Sequence, residues 1–140
     1  VKFLKRLSLN NYDLPALRIT YYRRAIISAV GQSLIFLNLI AVYSVCDLTL
    51  GGKGELIVIS ANNNGIYTQK DLEVKNLTLS VTCADNALKS NDSVDVIGGV
   101  ITLVAKSGDG VDSNSRTSYQ GIVFSGGDIV IVSTSGGNSV

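Results

Sequence analysis

The stretch from Asn62 to Val74, NNNGIYTQKDLEV, and the stretch from Ala84 to Val96, ADNALKSNDSVDV, are two versions of one phrase. Asn-Gly-Ile answers to Asn-Ala-Leu, and Leu-Glu-Val to Val-Asp-Val. A small residue followed by an aliphatic one marks the period along the whole chain. The aliphatic anchors are Leu17, Val42, Ile66, Leu88, Val111 and Val140, spaced by 25, 24, 22, 23 and 29 residues. Periods of this size are the signature of a solenoid, in which one unit cannot bury its own apolar face and must stack on the next.

Within each period two stretches alternate apolar and polar residues, the mark of a strand with one buried face. The first begins at Asp47, Asp71, Ser93 and Gly121, and its inward pairs read Leu48/Leu50, Leu72/Val74, Val94/Val96 and Ile122/Phe124. A Gly or Asn turn follows. The second stretch gives inward pairs Ile57/Ile59, Leu79/Val81, Ile101/Leu103 and Ile129/Ile131, with Val58, Val104, Val130 and Val132 pointing outward. No helical period of useful length appears. The expected fold is therefore all-β: a parallel β-helix with rungs of about 22–25 residues, strands of neighbouring rungs lying roughly 4.8 Å apart. A β-sandwich is the alternative, since antiparallel strands also alternate, but it does not explain why equivalent residues recur in register. Residues 1–140 read as one solenoid domain, with 1–40 as irregular or atypical first rungs and 41–140 as regular ones. Asn114 to Tyr119 reads as an insertion at one corner.

Composition narrows the chemistry. His, Met and Trp are absent, which removes His-based catalysis and His-ligated metals. Apolar residues make up 46% and charged ones 16%, so a packed core is affordable and disorder is not expected. Arg24 to Cys46 has the length of a membrane span, but Gln32, Ser33 and Asn38 interrupt it and the repeat runs through its second half, so strand is expected and no span. Cys46 and Cys83 fall in different columns of the repeat, so no disulfide is expected between them.

Charge is uneven. Residues 1–24 hold six cations against one acid, and the remainder holds six against ten. The basic block is short and lacks a helical pattern, so no nucleic-acid partner is expected. The chain begins and stops with little sign of a cap. A solenoid without caps exposes strand edges that template another chain, and oppositely charged ends would attract head to tail. End-to-end stacking into an extracellular filament is thus one expected behaviour.

Several residues are candidates for chemistry. Asn64, Asp85, Asn86, Asp109 and Asp112 would share one corner if the rungs stack. Their oxygens suit Ca²⁺, with Asp85 and Asp109 as the acidic ligands, and such an ion would bridge to a uronate carboxylate. The alternative is a ladder of polar turns, because Asn, Asp and Gly favour turns on backbone grounds alone. Asp47, Asp71 and Asp92 sit at strand starts, but nothing singles out a catalytic carboxylate pair. Lys89 lies near an acidic corner, and one Lys is weak support for a lyase base. Tyr43 and Tyr67 share a column, where they stack between rungs or offer a sugar platform.

The segment from Gly52 to Ser115 resembles the bacterial carbohydrate-binding-domain proteins, which are pectate-lyase-like in shape, non-catalytic, and form right-handed parallel β-helices. The shared pattern is a Gly-x-Gly-x-Leu strand, Asn-Gly-Ile, Asp-Leu, an Asp-Asn/Gly corner, Asp-Ser-Val and Gly-Gly, with SGDGVDSN at Ser107 to Asn114 the nearest match. The resemblance implies a secreted or cell-surface protein that is not an enzyme. It also implies binding of an acidic polysaccharide such as polygalacturonate, with calcium at Asp-rich corners. Asn64 and Asn86 stand where that family commonly has Asp, and Ala87 where it has Gly.

Overall fold

The computed structural model describes residues 2–9, 13–14, 17–19, 22–29, 32–37, 40–115 and 121–140. Its strands come in threes. The first rung holds β1 (Lys2–Leu9), β2 (Asp13–Leu14) and β3 (Leu17–Ile19), and the second β4 (Tyr22–Ala29), β5 (Gln32–Leu37) and β6 (Val42–Ser44). Then come β7 (Asp47–Gly52), β8 (Glu55–Ser60) and β9 (Ile66–Thr68), followed by β10 (Leu72–Val74), β11 (Leu77–Cys83) and β12 (Leu88–Ser90). The chain continues through β13 (Val94–Val96), β14 (Gly99–Ala105) and β15 (Val111–Ser113) to β16 (Ile122–Phe124) and β17 (Asp128–Ser133).

All pairing is parallel and links each strand to its counterpart one rung away. Sheet A runs β1-β4-β7-β10-β13-β16, sheet B runs β2-β5-β8-β11-β14-β17, and sheet C runs β3-β6-β9-β12-β15. This is a right-handed parallel β-helix. The anchor column is in register through Leu17, Val42, Ile66, Leu88 and Val111. Of the insertion at Asn114–Tyr119, residues 116–119 lie outside the described residues. The membrane-length segment supplies β4, β5 and β6, and no described helix is long and apolar enough to cross a membrane.

The core is the set of inward columns. Leu48, Leu72 and Val94 stack in sheet A, Leu79 and Ile101 in sheet B, and Val42, Ile66, Leu88 and Val111 in sheet C, each 0–1% exposed. Burying one such side chain contributes about 1.5–3 kcal/mol. Sheet C carries one inward polar column, Ser44, Thr68 and Ser90, all fully buried. Each hydroxyl answers a backbone need at the corner that follows. The N–H groups of Cys46, Lys70 and Asp92 donate to Ser44, Thr68 and Ser90. The hydroxyls of Thr68, Ser90 and Ser113 donate in turn to the carbonyls of Cys46, Lys70 and Asp92, one rung back. A buried polar group is tolerable only when so satisfied, and this one clips consecutive rungs together.

Strand β8 corrects the sequence reading. Leu56 and Val58 are fully buried, while Ile57 and Ile59 face outward and are partly exposed. Leu56 pairs with Leu79 and Val58 with Val81. The turn Gly51-Gly52-Lys53-Gly54 is one residue longer than its counterpart at Lys75-Asn76-Leu77. One extra residue moves every side chain of a strand to the other face. Gly52 permits this turn, with φ at +109°, where any Cβ would strike the backbone of Ala29. Elsewhere in sheet B the expected phase holds: Leu79, Val81, Ile101 and Leu103 are inward, and Val130 and Val132 are exposed at 57% and 41%.

Candidate functional site

Three outer features carry polar chemistry, and each is set by the stacking just described.

The first is the corner between sheets B and C. Asn64, Asn86, Asp109 and Asn138 stack there, because the residue before each small–aliphatic pair occupies the same place in each rung. Asn64 Oδ1 accepts from the Asn86 backbone N–H at 3.0 Å and from Asn86 Nδ2 at 3.1 Å. Asn86 Oδ1 accepts from the Asp109 N–H at 2.7 Å, and Asp109 Oδ1 from the Asn138 N–H at 2.7 Å. Asn64 and Asn86 are 7% and 8% exposed. Every one of these oxygens is engaged by a donor of the next rung, so the column is a ladder of polar turns. Asp85 is its neighbour, its backbone N–H donating to the Asn63 carbonyl at 3.3 Å. Asp112 is not on this corner. It lies on β15 in an ion pair with Lys89 of β12. Among the described residues no three His, Cys, Asp or Glu side chains converge to hold a metal. The oxygens of Asn64 and Asn86 are thus spent on the ladder, which leaves Asp85 and the second oxygen of Asp109 outside these bonds.

The second feature is the outward column of sheet C: Arg18, Tyr43, Tyr67, Lys89 and Asp112 in strict register. The Tyr43 and Tyr67 rings lie 5.5 Å apart, tilted by 59°. The Arg18 guanidinium sits 5.8 Å over the Tyr43 ring and donates to the Ile40 carbonyl at 2.7 Å. Gln69 Nε2 donates to the Tyr43 hydroxyl at 2.5 Å, and the Tyr67 hydroxyl donates to Asn91 Oδ1 at 3.1 Å. Beside this column lies an open pocket of about 250 Å³ lined by Arg18, Ile40, Tyr43 and Asn63. It offers an aromatic surface, a cation and an amide within one recess.

The third feature is a cleft of about 180 Å³ on the outer face of sheet A. Asp47 and Asp71, the strand starts marked in the sequence, form part of its wall, with Thr49, Glu73 and Asp95 from the strands behind them. Asp47 Oδ1 accepts from the Asp71 N–H, and Asp71 Oδ1 from the N–H and hydroxyl of Ser93 at 3.1 and 2.8 Å. These two carboxylates are thus partly structural. Asp92, the third strand-start acid, is not part of the cleft wall. Glu73 Oε1 is shut off from solvent and lies 2.9 Å from Lys75 Nζ without hydrogen-bond alignment. The Asp95 carboxyl is pushed above its usual value by burial first, then by the charges of Glu73 and Asp71. The sequence did not single out Thr49, Glu73 or Asp95. Their outward positions on consecutive sheet A strands were the signal available.

Both thiols are buried and free. Burial pushes Cys83 up to about 11, which leaves it inert at neutral pH.

A family model described as carbohydrate-binding domain-containing protein matches residues 38–139. A search of curated proteins returns no match. Among solved structures, the chain is similar to one described as the polysaccharide lyase-like protein from C. thermocellum, gadolinium derivative. The TM-score is 0.82 at 23% identity, over 99% of this chain and 73% of that one. At that identity the likeness speaks for the fold.

Proposed function

This chain belongs to the family of carbohydrate-binding domain-containing proteins, and from that premise we propose that it is a non-catalytic, extracellular solenoid that binds an acidic polysaccharide on the outer face of sheet C. The observation that carries this reading is the pocket lined by Arg18, Ile40, Tyr43 and Asn63. A pyranose ring presents an apolar face that suits Tyr43. A uronate carboxylate suits Arg18, whose guanidinium has five donors in a planar fork. Asn63 supplies an amide for ring hydroxyls. A polymer lying along the axis meets the same column rung after rung, with Tyr67 next.

Among the described residues, the lining of this pocket includes no pair of carboxylates for glycoside hydrolysis. A lyase needs a base, and Arg18 stays protonated, while Lys89 is engaged with Asp112. Polymers of this charge class are met outside the cell, and localisation follows from the ligand.

Affinity electrophoresis in gels containing polygalacturonate tests the reading. The wild-type chain is expected to be retarded, and Tyr43→Ala and Arg18→Ala to run free while keeping their melting temperatures within a few degrees. Retardation unchanged in both variants would contradict it. End-to-end association, the other behaviour expected from the sequence, would show in sedimentation velocity as a mass rising with concentration.

A further inference from the structure

We propose that the cleft on the outer face of sheet A is a second binding site, built for a sugar that carries an ammonium group, as in a polymer of glucosamine. It stands on family membership and on its own geometry, not on the Tyr43 pocket.

The cleft gathers four carboxylates, Asp47, Asp71, Glu73 and Asp95, against one lining cation, Arg24. Arg24 stands on the β4 side, paired in register with Asp47. That leaves Asp71, Glu73 and Asp95 on adjacent strands facing the rest of the space, with Glu73 opposite Asp95 in register. Lys75 pairs with Glu73, and the Asp95 carboxyl is raised above its usual value by burial first, then by the charges of Glu73 and Asp71.

Acidity alone does not make a site. Thr49 makes the second, independent observation. It is 8% exposed, it lines the cleft, and its hydroxyl has no hydrogen-bond partner among the described residues. Its neighbours Leu48 and Leu50 point into the core, so alternation turns Thr49 outward. That hydroxyl opens onto the cleft, where a ligand can supply the partner that the protein does not. Glu73 Oε1 is closed to solvent and pairs with Lys75 Nζ at 2.9 Å, so that oxygen is taken up within the protein.

An ammonium ion fits better than a metal ion. A hard divalent cation needs six or more oxygens at about 2.3–2.6 Å, and among the described residues no three acids converge to hold one. An ammonium group is a compact charge with three donors, and it pairs with carboxylates at about 2.7–2.9 Å without demanding a closed shell. Thr49 and Ser93 then offer hydroxyls to the sugar that bears it. On this arrangement the two outer faces take polymers of opposite charge, and one molecule can join them.

The test is calorimetric titration with a fully deacetylated glucosamine hexamer, at a pH where its amines are charged. The wild-type chain is expected to bind it, and to bind the N-acetylated hexamer at least about tenfold more weakly, the loss of one charge-assisted contact. Glu73→Gln and Asp95→Asn are expected to weaken the charged hexamer by about tenfold or more each. Thr49→Val, which keeps the shape, should weaken it less. Tyr43→Ala, on the other face, should leave it unchanged, so this proposal and the Tyr43 pocket fail separately. Equal affinity for the acetylated hexamer would overturn the proposal. So would Glu73→Gln and Asp95→Asn that bind as the wild type does, or a lysine hexamer that binds as tightly as the sugar. Unfolding curves of each variant separate lost binding from lost fold.

Discussion

The corner at Asn64, Asn86, Asp109 and Asn138 and the cleft at Asp47, Asp71, Glu73 and Asp95 are made of similar residues recurring with the same period, yet they serve different ends. At the corner each side-chain oxygen takes the backbone N–H of the next rung. In the cleft, Glu73 and Asp95 face outward from strands whose own backbones are already paired, and among the described residues no hydrogen bond engages the Thr49 hydroxyl. The difference lies in where the turn ends and the strand begins. A carboxylate or amide at a corner meets an N–H that no ladder has claimed, so it becomes structural. The same group two residues later meets no unclaimed N–H, only side chains such as Lys75 beside Glu73, solvent or ligand. Recurrence in a solenoid therefore says that a position is equivalent, not that it is functional.

Substitutions sharpen this contrast, and the largest effect belongs to the corner. Asn86→Ala strands the Asp109 N–H in a nearly closed site and removes the Nδ2 contact to Asn64, while the backbone N–H still donates there. It should cost about 1–3 kcal/mol, read from urea unfolding, with polygalacturonate affinity of the folded fraction unchanged. Asp71 belongs to both regions, through Ser93 and through the cleft. Asp71→Asn keeps the acceptor for Ser93, so stability should move by less than about 0.5 kcal/mol while glucosamine-hexamer affinity falls. Either variant behaving like the other would erase the distinction.

The smallest effect is at Asp95, and it has a sign. Its folded carboxyl is raised above the unfolded value, by burial and then by Glu73 and Asp71; Arg24 shares the cleft, and Lys75 pairs with Glu73. The folded chain thus binds the proton more tightly. The associated stability is full below the unfolded value and is lost as pH rises through the folded one. Asp95→Asn should remove that decline, leaving the variant slightly more stable than the wild type at neutral pH. Unfolding free energy measured across the acid range checks this. A wild-type curve that rises through the same window would contradict it.

Much of this was legible in the sequence because a solenoid repeats its evidence. The anchor column from Leu17 to Val111 and the inward pairs of β7, β10, β11, β13 and β14 follow from alternation and period. The phase of β8 did not, since Leu56 to Ile59 are all aliphatic and the extra residue in the Gly51–Gly54 turn decides it. Tyr43 over Tyr67 was visible as a column. The pocket beside them also needed Arg18, which the Leu17 anchor places one rung earlier. Stacked rungs suggest that Asp112 shares the corner with Asp109. Three residues along, the chain has already entered β15, and the side chain meets Lys89 instead. The cleft was visible only as Asp47 and Asp71, because Thr49, Glu73 and Asp95 read singly as ordinary outward strand positions.

The central claim is that the corner holds the rungs together while the outer faces meet the sugar. Titration of the wild-type chain with a polygalacturonate oligomer, in the presence of a calcium chelator, tests it most directly. The account predicts binding that persists in chelator and disappears in Tyr43→Ala. Binding that vanishes in chelator and returns with added calcium would make the corner acids ligands and contradict it.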